Sequence, residues 1–268
     1  MKVVITGASG FIGTHLIKRL KRENIEVIGV SRKDSLNVDY IVKSYQEVTE
    51  IENIDLLIHM ADTNLNNNID YIETSYVNKK LAAHFKNKII FISSALVYGD
   101  NSWELLNEKQ IPKPLTQYAK NKYQYEKDII KFNGTVLRLA NVYGKGMSPN
   151  NVFYDIYDQI KNNNSEIKIK NIKHIRDFIY VDDVCGSILA VALNRKKGIY
   201  NICTGKGTSI EDLANIIINN FGLEGLQYSL LSQNFTHSKL VLDPTYTNKI
   251  YNWNAKINIK HGCKNLLI

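Results

Sequence analysis

Val3-Val4-Ile5-Thr6-Gly7-Ala8-Ser9-Gly10-Phe11-Ile12-Gly13 passes from an apolar strand candidate straight into a helical pattern carrying Ile12, Leu16, Ile17 and Leu20 on one face. Glycines at 7, 10 and 13 permit a tight strand-to-helix turn, a close backbone approach to a pyrophosphate, and close packing of helix on strand. The start of the helix then offers free N–H groups to the anion. Gly7, Ser9, Gly10, Phe11, Ile12 and Gly13 are therefore the expected cradle of a dinucleotide. Glycines also occur in ordinary turns, so the rest of the chain must agree.

Outward from that turn, apolar runs alternate with amphipathic segments, the pattern of parallel strands joined by covering helices. Strands are expected at Lys2 to Thr6, Glu26 to Val30, Tyr40 to Val42, Leu56 to Met60, Ile89 to Ser93 and Thr135 to Leu139. Pro112 and Pro114 suit the approach to a helix better than its interior, which starts the next helix near Thr116, with Tyr118 to Phe132 on it. After Gly144 the regularity fades. Lys161 to Ser165 reads as a surface loop, Val181 to Leu193 as a helix, and the segment around Tyr200 to Cys203 as a strand returning to the main sheet.

A chain of 268 residues can bury a substantial core without metals or disulfides. Its three cysteines, Cys185, Cys203 and Cys263, lack metal-type spacing and are odd in number, which reads as unpaired thiols in a reducing compartment. No run approaches the roughly 18 apolar residues of a membrane helix, and the apolar start is cut by Gly7 and Gly10 after one strand's length, unlike a signal peptide. A cytoplasmic protein with no membrane partner is expected. The net charge of +8 is spread along the chain instead of gathered on one helix face with aromatics, which argues for a solvated surface and against nucleic acid.

Four further segments follow the glycine turn: Ser93-Ser94-Ala95-Leu96-Val97-Tyr98-Gly99, Tyr118-Ala119-Lys120-Asn121-Lys122, Leu137-Arg138-Leu139-Ala140-Asn141-Val142-Tyr143-Gly144, and Arg176-Asp177-Phe178-Ile179-Tyr180-Val181-Asp182-Asp183. In kind and order the set resembles the extended branch of the short-chain dehydrogenase/reductase superfamily, in particular its nucleotide-sugar epimerases, dehydratases and ketoreductases. The resemblance implies an α/β fold, a Rossmann-type doubly wound parallel sheet with a small C-terminal substrate lobe. Residues 1–144 plus about 177–203 would form the dinucleotide-binding domain, and about 145–176 plus 204–268 the lobe. This chain is short for that branch, so a trimmed lobe is expected.

Tyr118 and Lys122 lie four apart and share a helical face. A phenol titrates near pH about 10, and a neighbouring cation favours its phenolate. Taken alone, the pair also fits two solvated residues on a Lys- and Tyr-rich helix; within the ordered motifs it reads as a proton donor and its tuner. Ser94 stands at the carboxyl end of its strand, where ligands of open α/β sheets bind; a strand-end serine can equally satisfy the backbone. Ser93 competes for the role. The resemblance favours Ser94, four residues before Tyr98, and implies substrate-binding places for Ser94, Asn141 and Arg176. It sets Ala61 beside the cofactor, with His59 before it as a hydrogen-bonded core imidazole more than a catalytic base. Asp62 and Thr74 depart from the family pattern, which has a small apolar residue and an Asn there.

Sugar 4,6-dehydratases of the group carry Asp and Glu after the serine, to move protons. Here Ala95 and Leu96 stand instead and can move none. The second strand ends Val30-Ser31-Arg32-Lys33, without the acidic residue that bonds NAD ribose hydroxyls. Arg32 can fork onto a 2′-phosphate and Ser31 can add a donor, so NADP (NADPH) is expected and NAD is the alternative; an ordinary basic loop fits the same residues. The expected reaction is NADPH-dependent reduction of a 4-keto sugar carried on a nucleoside diphosphate, with Tyr118, Ser94 and Lys122 catalytic and Tyr118 and Lys122 also touching the cofactor. A 4-epimerase with retained NAD uses the same residues, and a non-catalytic dinucleotide sensor is the remote alternative. A homodimer is expected, through the helices Asp70 to Phe85 and Tyr118 to Phe132.

Overall fold

Parity along the strands sorts the core into two faces. Val3 and Ile5, Leu56 and Ile58, Ile90 and Ile92, and Leu137 and Leu139 share one buried cluster with Leu16, Ile17 and Leu20. The residues between them, Val4, Leu57, Phe91 and Val136, belong to a second cluster with Val77, Leu81, Phe85, Tyr125 and Ile129. Successive strand side chains point to opposite faces, so strands covered by helices on both sides must be apolar at every position. That is why these segments are unbroken apolar runs.

The structure is a computed structural model and describes residues 1–61, 68–100, 104–149, 151–162, 166–223, 226, 228–230 and 238–266. The first half alternates β1 (Lys2–Thr6), α1 (Phe11–Arg22), β2 (Glu26–Ser31), β3 (Tyr40–Ile41), β4 (Leu56–His59), α2 (Asn68–Phe85), β5 (Ile89–Ser94), α3 (Gln117–Lys131) and β6 (Thr135–Leu139). There follow β7 (Asn141–Tyr143), α4 (Val152–Lys161), β8 (Ile167–Ile169), β9 (Ile175–Tyr180), α5 (Val181–Leu193) and β10 (Gly198–Ile202). The remainder holds β11 (Gly207–Ser209), α6 (Ile210–Asn220), β12 (Tyr228–Leu230), β13 (Lys239–Leu240), α7 (Thr245–Tyr251) and α8 (Ile259–Lys264).

Seven strands form one parallel sheet in the order β10-β6-β5-β4-β1-β2-β3, a Rossmann-type doubly wound arrangement. The chain reverses direction across the sheet between β1 and β4, where Gly7 ends the first strand. A second, smaller sheet joins β11, β9 and β13, with β7 added along β9. β8 and β12 pair separately. The C-terminal segment is tied to α5 by Asp183, whose carboxylate accepts the N–H groups of Lys256 and Ile257 at 3.0 and 2.8 Å.

Beyond Gly144 the order is greater than the sequence suggests. Asn151 caps α4 by accepting from Tyr154 N at 2.8 Å, and Phe153, Ile156 and Ile160 make a buried helical stripe. Lys161, expected in a loop, is the last residue of that helix; residues 163–165 lie outside the described ones. All three cysteines are free and buried. Among the described residues, no helix is long and apolar enough to cross a membrane.

Gly13 shows how tightly the first turn is closed: a Cβ there would lie 2.3 Å from the Gly7 carbonyl oxygen. Gly to Ala within a helix ordinarily stabilises by about 1 kcal/mol. Here the sign should reverse, and Gly13→Ala is expected to lower the urea unfolding midpoint. A higher midpoint would mean that the turn yields to the methyl group.

Candidate active site

The glycine turn needs its glycines. Gly7 has φ +76°, a left-handed conformation, and a Cβ on it would meet Ala61 N at 3.0 Å. Gly7 N and Ala8 N both donate to Val30 O, at 3.0 and 3.3 Å, and Gly10 N donates to Gly7 O at 2.9 Å. Gly10 caps α1 with no side-chain hydrogen bond, so among the described residues the first-turn N–H groups of Phe11, Ile12 and Gly13 have no side-chain acceptor. The turn thus presents backbone N–H groups at the positive end of a helix dipole, which suits a pyrophosphate. Ser9 and Ser31 meet across it, hydroxyl to hydroxyl at 2.7 Å. Arg32 is exposed beside them, its guanidinium 5.5 Å from the Tyr45 ring centroid.

The turn is fastened to β4 through Thr6. Its hydroxyl oxygen accepts from Met60 N and Ala61 N at 3.2 and 3.3 Å. Its one proton is therefore the donor to His59 Nδ1, 2.6 Å away. That leaves Nε2–H to donate to Asn78 Oδ1 at 2.5 Å. His59 is a buried, hydrogen-bonded imidazole, as its sequence context suggests, and Ala61 is buried beside Gly7. Thr74 is half-buried; Asp62 lies outside the described residues.

At the end of β5 the two serines divide. Ser93 is buried and donates to Glu126 Oε1 at 2.5 Å. Ser94 is half-exposed, accepts from Leu96 N at 3.2 Å as the cap of the short turn Ala95–Tyr98, and among the described residues its O–H has no acceptor. Thr116 caps α3 through Ala119 N at 3.2 Å. Within the first turn, Tyr118 is 43% exposed, while Lys122 on the same face, one turn further, is 4% exposed. Lys122 Nζ donates to Ile92 O, two residues before Ser94, at 2.8 Å. It lies 4.7 Å from the Phe91 ring centroid and 5.8 Å from that of Tyr118. A carbonyl and two ring faces offset the cost of burying this ammonium.

One turn further on that face stands Glu126, which the sequence reading did not single out. Its carboxylate meets the guanidinium of Arg138 on β6, with Nη2 to Oε2 at 2.6 Å. The signal available was a cation inside an apolar strand, Thr135-Val136-Leu137-Arg138-Leu139, which needs a buried partner.

Asn141 and Arg176 sit on the smaller sheet, on β7 and β9. Arg176 Nη1 donates to the carbonyls of Ile175 and Ser238 at 2.9 and 3.0 Å, and Nη2 to Asp100 Oδ2 at 3.2 Å. Ser238 donates to the other Asp100 oxygen. Burial draws the Arg176 pKa down, against the pull of Asp100. Arg176 is thereby drawn towards the loop that follows Ser94, where a cavity of about 540 Å³ opens among Tyr98, Asp100, Gln110, Ile111, Lys113 and Leu115. The adjacent Asp177 is structural: it accepts from Thr204 N and Oγ1 and from Gly205 N, and burial pushes its carboxyl up to about 6.

The glycine turn ends β1, and Ser94, with Lys122 bonded to Ile92 O, stands at the end of β5 on the same edge of the parallel sheet, a place where a dinucleotide and its substrate can meet. Comparison with known proteins identifies the family. Residues 3–203 match the NAD dependent epimerase/dehydratase family. A Methanocaldococcus jannaschii protein provisionally assigned as a UDP-glucose 4-epimerase is 28% identical, over 99% of this chain and 97% of its own. The GDP-6-deoxy-D-talose 4-dehydrogenase of Aggregatibacter actinomycetemcomitans is 30% identical, over 91% of this chain and 89% of its own. The crystal structure of Thermotoga maritima UDP-glucose 4-epimerase with UDP-glucose superposes with a TM-score of 0.87 at 25% identity, covering 100% of this chain and 97% of that one. The chain is an enzyme of the NAD dependent epimerase/dehydratase family.

Proposed function

We propose that the protein reduces a 4-keto sugar carried on a nucleoside diphosphate, with NADPH as reductant. The observation that carries the proton and hydride chemistry of this reading is the stripe of Tyr118 and Lys122 on α3, locked to β5 by Lys122 Nζ to Ile92 O beside Ser94. The exposed Arg32 at the end of β2 is what inclines it to NADPH-dependent reduction. Tyr118 Oη gives the proton that the sugar oxygen takes up on reduction. Ser94 Oγ donates a hydrogen bond to the same oxygen, and the burial of Ser93 against Glu126 favours Ser94 over its neighbour. Lys122 holds the nicotinamide ribose, and its charge stabilises the phenolate left on Tyr118. Asn141 and Arg176 receive the diphosphate side of the substrate, Arg176 by exchanging its contact with Asp100 for one with phosphate.

The glycine turn would hold the dinucleotide through backbone N–H groups, and glycine keeps the turn closed, because a Cβ at 7 or 13 would press on the backbone of Ala61 or of Gly7. When bound, the dinucleotide supplies a nicotinamide able to give or take a hydride. Ser31 and Arg32 at the end of β2 favour a 2′-phosphate. A second reading, a 4-epimerase that retains NAD, uses the same residues; likeness to the 4-epimerases named above supports it. The presence together of Ser94, Tyr118 and Lys122 weighs against a sensor without chemistry. The division into residues 1–144 with about 177–203, and about 145–176 with 204–268, is our domain proposal, the second part forming the substrate lobe. The three buried thiols suit a cytoplasmic setting.

Tyr118→Phe should leave NADPH affinity nearly intact and cut turnover by about 10²- to 10⁴-fold on a panel of nucleotide sugars and 4-keto-6-deoxy sugars. More than half of wild-type turnover in that variant would remove Tyr118 from the mechanism.

Arg32→Asp should weaken NADPH binding by roughly 1.5 to 3 kcal/mol, about 10- to 150-fold, and leave NADH binding unchanged or better. Tightly held NAD in the purified wild-type protein, with no NADPH preference on titration, would favour the epimerase.

We further propose a homodimer through α2 and α3, which pack on one another and expose Tyr76 and Ile130. Light scattering at micromolar concentration should return twice the 30.6 kDa chain mass. The mass of a single chain would contradict the dimer.

A further inference from the structure

Tyr118, Lys122 and Glu126 stand at successive turns of one face of α3. The third does not reach the open side of the site: both Glu126 and Arg138 are 1% exposed. Arg138 Nε donates to both Glu126 oxygens, at 3.0 and 3.2 Å, while Nη2 holds Oε2. The same carboxylate accepts a hydrogen bond from the Ser93 hydroxyl, and the Arg138 guanidinium lies over the Tyr98 ring with Cζ 4.5 Å from its centroid. Ser93 is the cross-strand partner of Arg138, as Ser94 is of Leu139. One ion pair thus touches the helix that carries Tyr118 and Lys122, the strand that ends in Ser94, and the turn that follows it.

Burying two charges is costly, and an apolar set of similar volume is often as stable or more so. Among the described residues Arg138 Nη1 has no partner within hydrogen-bond geometry, and the guanidinium meets the Tyr98 ring instead. Stability alone does not account for it. Its geometry does something an apolar contact cannot: a planar fork and a carboxylate hold only at one separation and one angle, whereas apolar side chains slide. We propose that Glu126 and Arg138 are positioning residues, whose fork, with Ser93, sets the depth of α3 against β5 and β6 and so the separation of Tyr118 Oη from Ser94 Oγ. The proposal rests on the catalytic roles given above to Tyr118 and Ser94. Reacting groups must be held to within about 0.5 Å, so a small slip of α3 should act on turnover more than on binding.

The test replaces the whole set, Ser93→Ala with Glu126→Leu and Arg138→Met, so that no buried polar group is left without its partner. Melting temperature, dinucleotide titration, kcat and sugar KM are measured, and the crystal structure is solved. The expected triple variant melts at or above the wild-type temperature, keeps dinucleotide affinity and KM within about threefold, and loses about 10- to 100-fold in kcat. Its Tyr118 Oη to Ser94 Oγ separation differs from wild type by at least about 0.5 Å. Arg138→Lys, which keeps the charge and loses the fork, should fall in kcat in the same direction, and it carries the test if the triple variant does not fold. A folded triple variant with an unchanged separation, or with wild-type kcat, overturns the proposal. So does a kcat loss that only tracks a loss of folded protein. If wild-type protein turns over no sugar in the panel, the proposed reaction fails by itself, and the crystallographic separation still decides the positioning role.

Discussion

Parallel strands can only be joined by crossovers, and the crossovers force every strand of the large sheet to end on the same edge. The chemistry of this protein hangs on that constraint. β1 ends at Thr6 and the glycine turn, β2 at Ser31, β4 at His59, and β5 at Ser93 and Ser94. Residues from distant parts of the sequence are neighbours there without any long loop to carry them. Where a polar side chain is buried along that edge it is bonded across strands, to the glycine turn or to a helix: Thr6 to His59, Ser31 to Ser9, Ser93 to Glu126.

The same edge divides labour by depth. The deep residues, His59, Ser93, Glu126 and Arg138, are committed to one another or to the backbone and helices around them. The shallow ones, Ser94, Tyr118 and Arg32, keep exposed surface. Lys122 bridges the layers, with a buried ammonium reaching Ile92 O next to an exposed phenol. A similar division runs through the smaller sheet, where Asp177 is buried among donors and the preceding Arg176 turns to Asp100.

Legibility in the sequence followed burial. β1, β6 and α5 have the bounds expected from it, because strands covered on both faces are uninterrupted apolar runs and α5 is apolar around most of its circumference. The smaller sheet was not legible: Asn141–Tyr143, Gly207–Ser209 and Lys239–Leu240 are too short for a two-residue period to show. At the site, the glycine turn and the Tyr118 and Lys122 spacing stood in plain view, since both depend on local geometry. Ser93 and Ser94 could not be separated locally, because their difference lies in Glu126, on another element. For the same reason the partner of Arg138 was invisible, as was the engagement of Arg176 with Asp100, 76 residues away in the chain.

The setting of Lys122 bears on its reactivity as an amine. Acyl transfer to a lysine needs an unshared electron pair and room for the incoming group, and Lys122 is buried with its nitrogen donating to Ile92 O near the Phe91 and Tyr118 rings, which hinders a bulky acylating reagent. The many lysines on the surface present no such obstacle. Amine-directed labelling of folded protein should therefore favour the surface lysines over Lys122, and labelling of Lys122 should rise when α3 lifts from β5, which makes its acylation a chemical report on that contact.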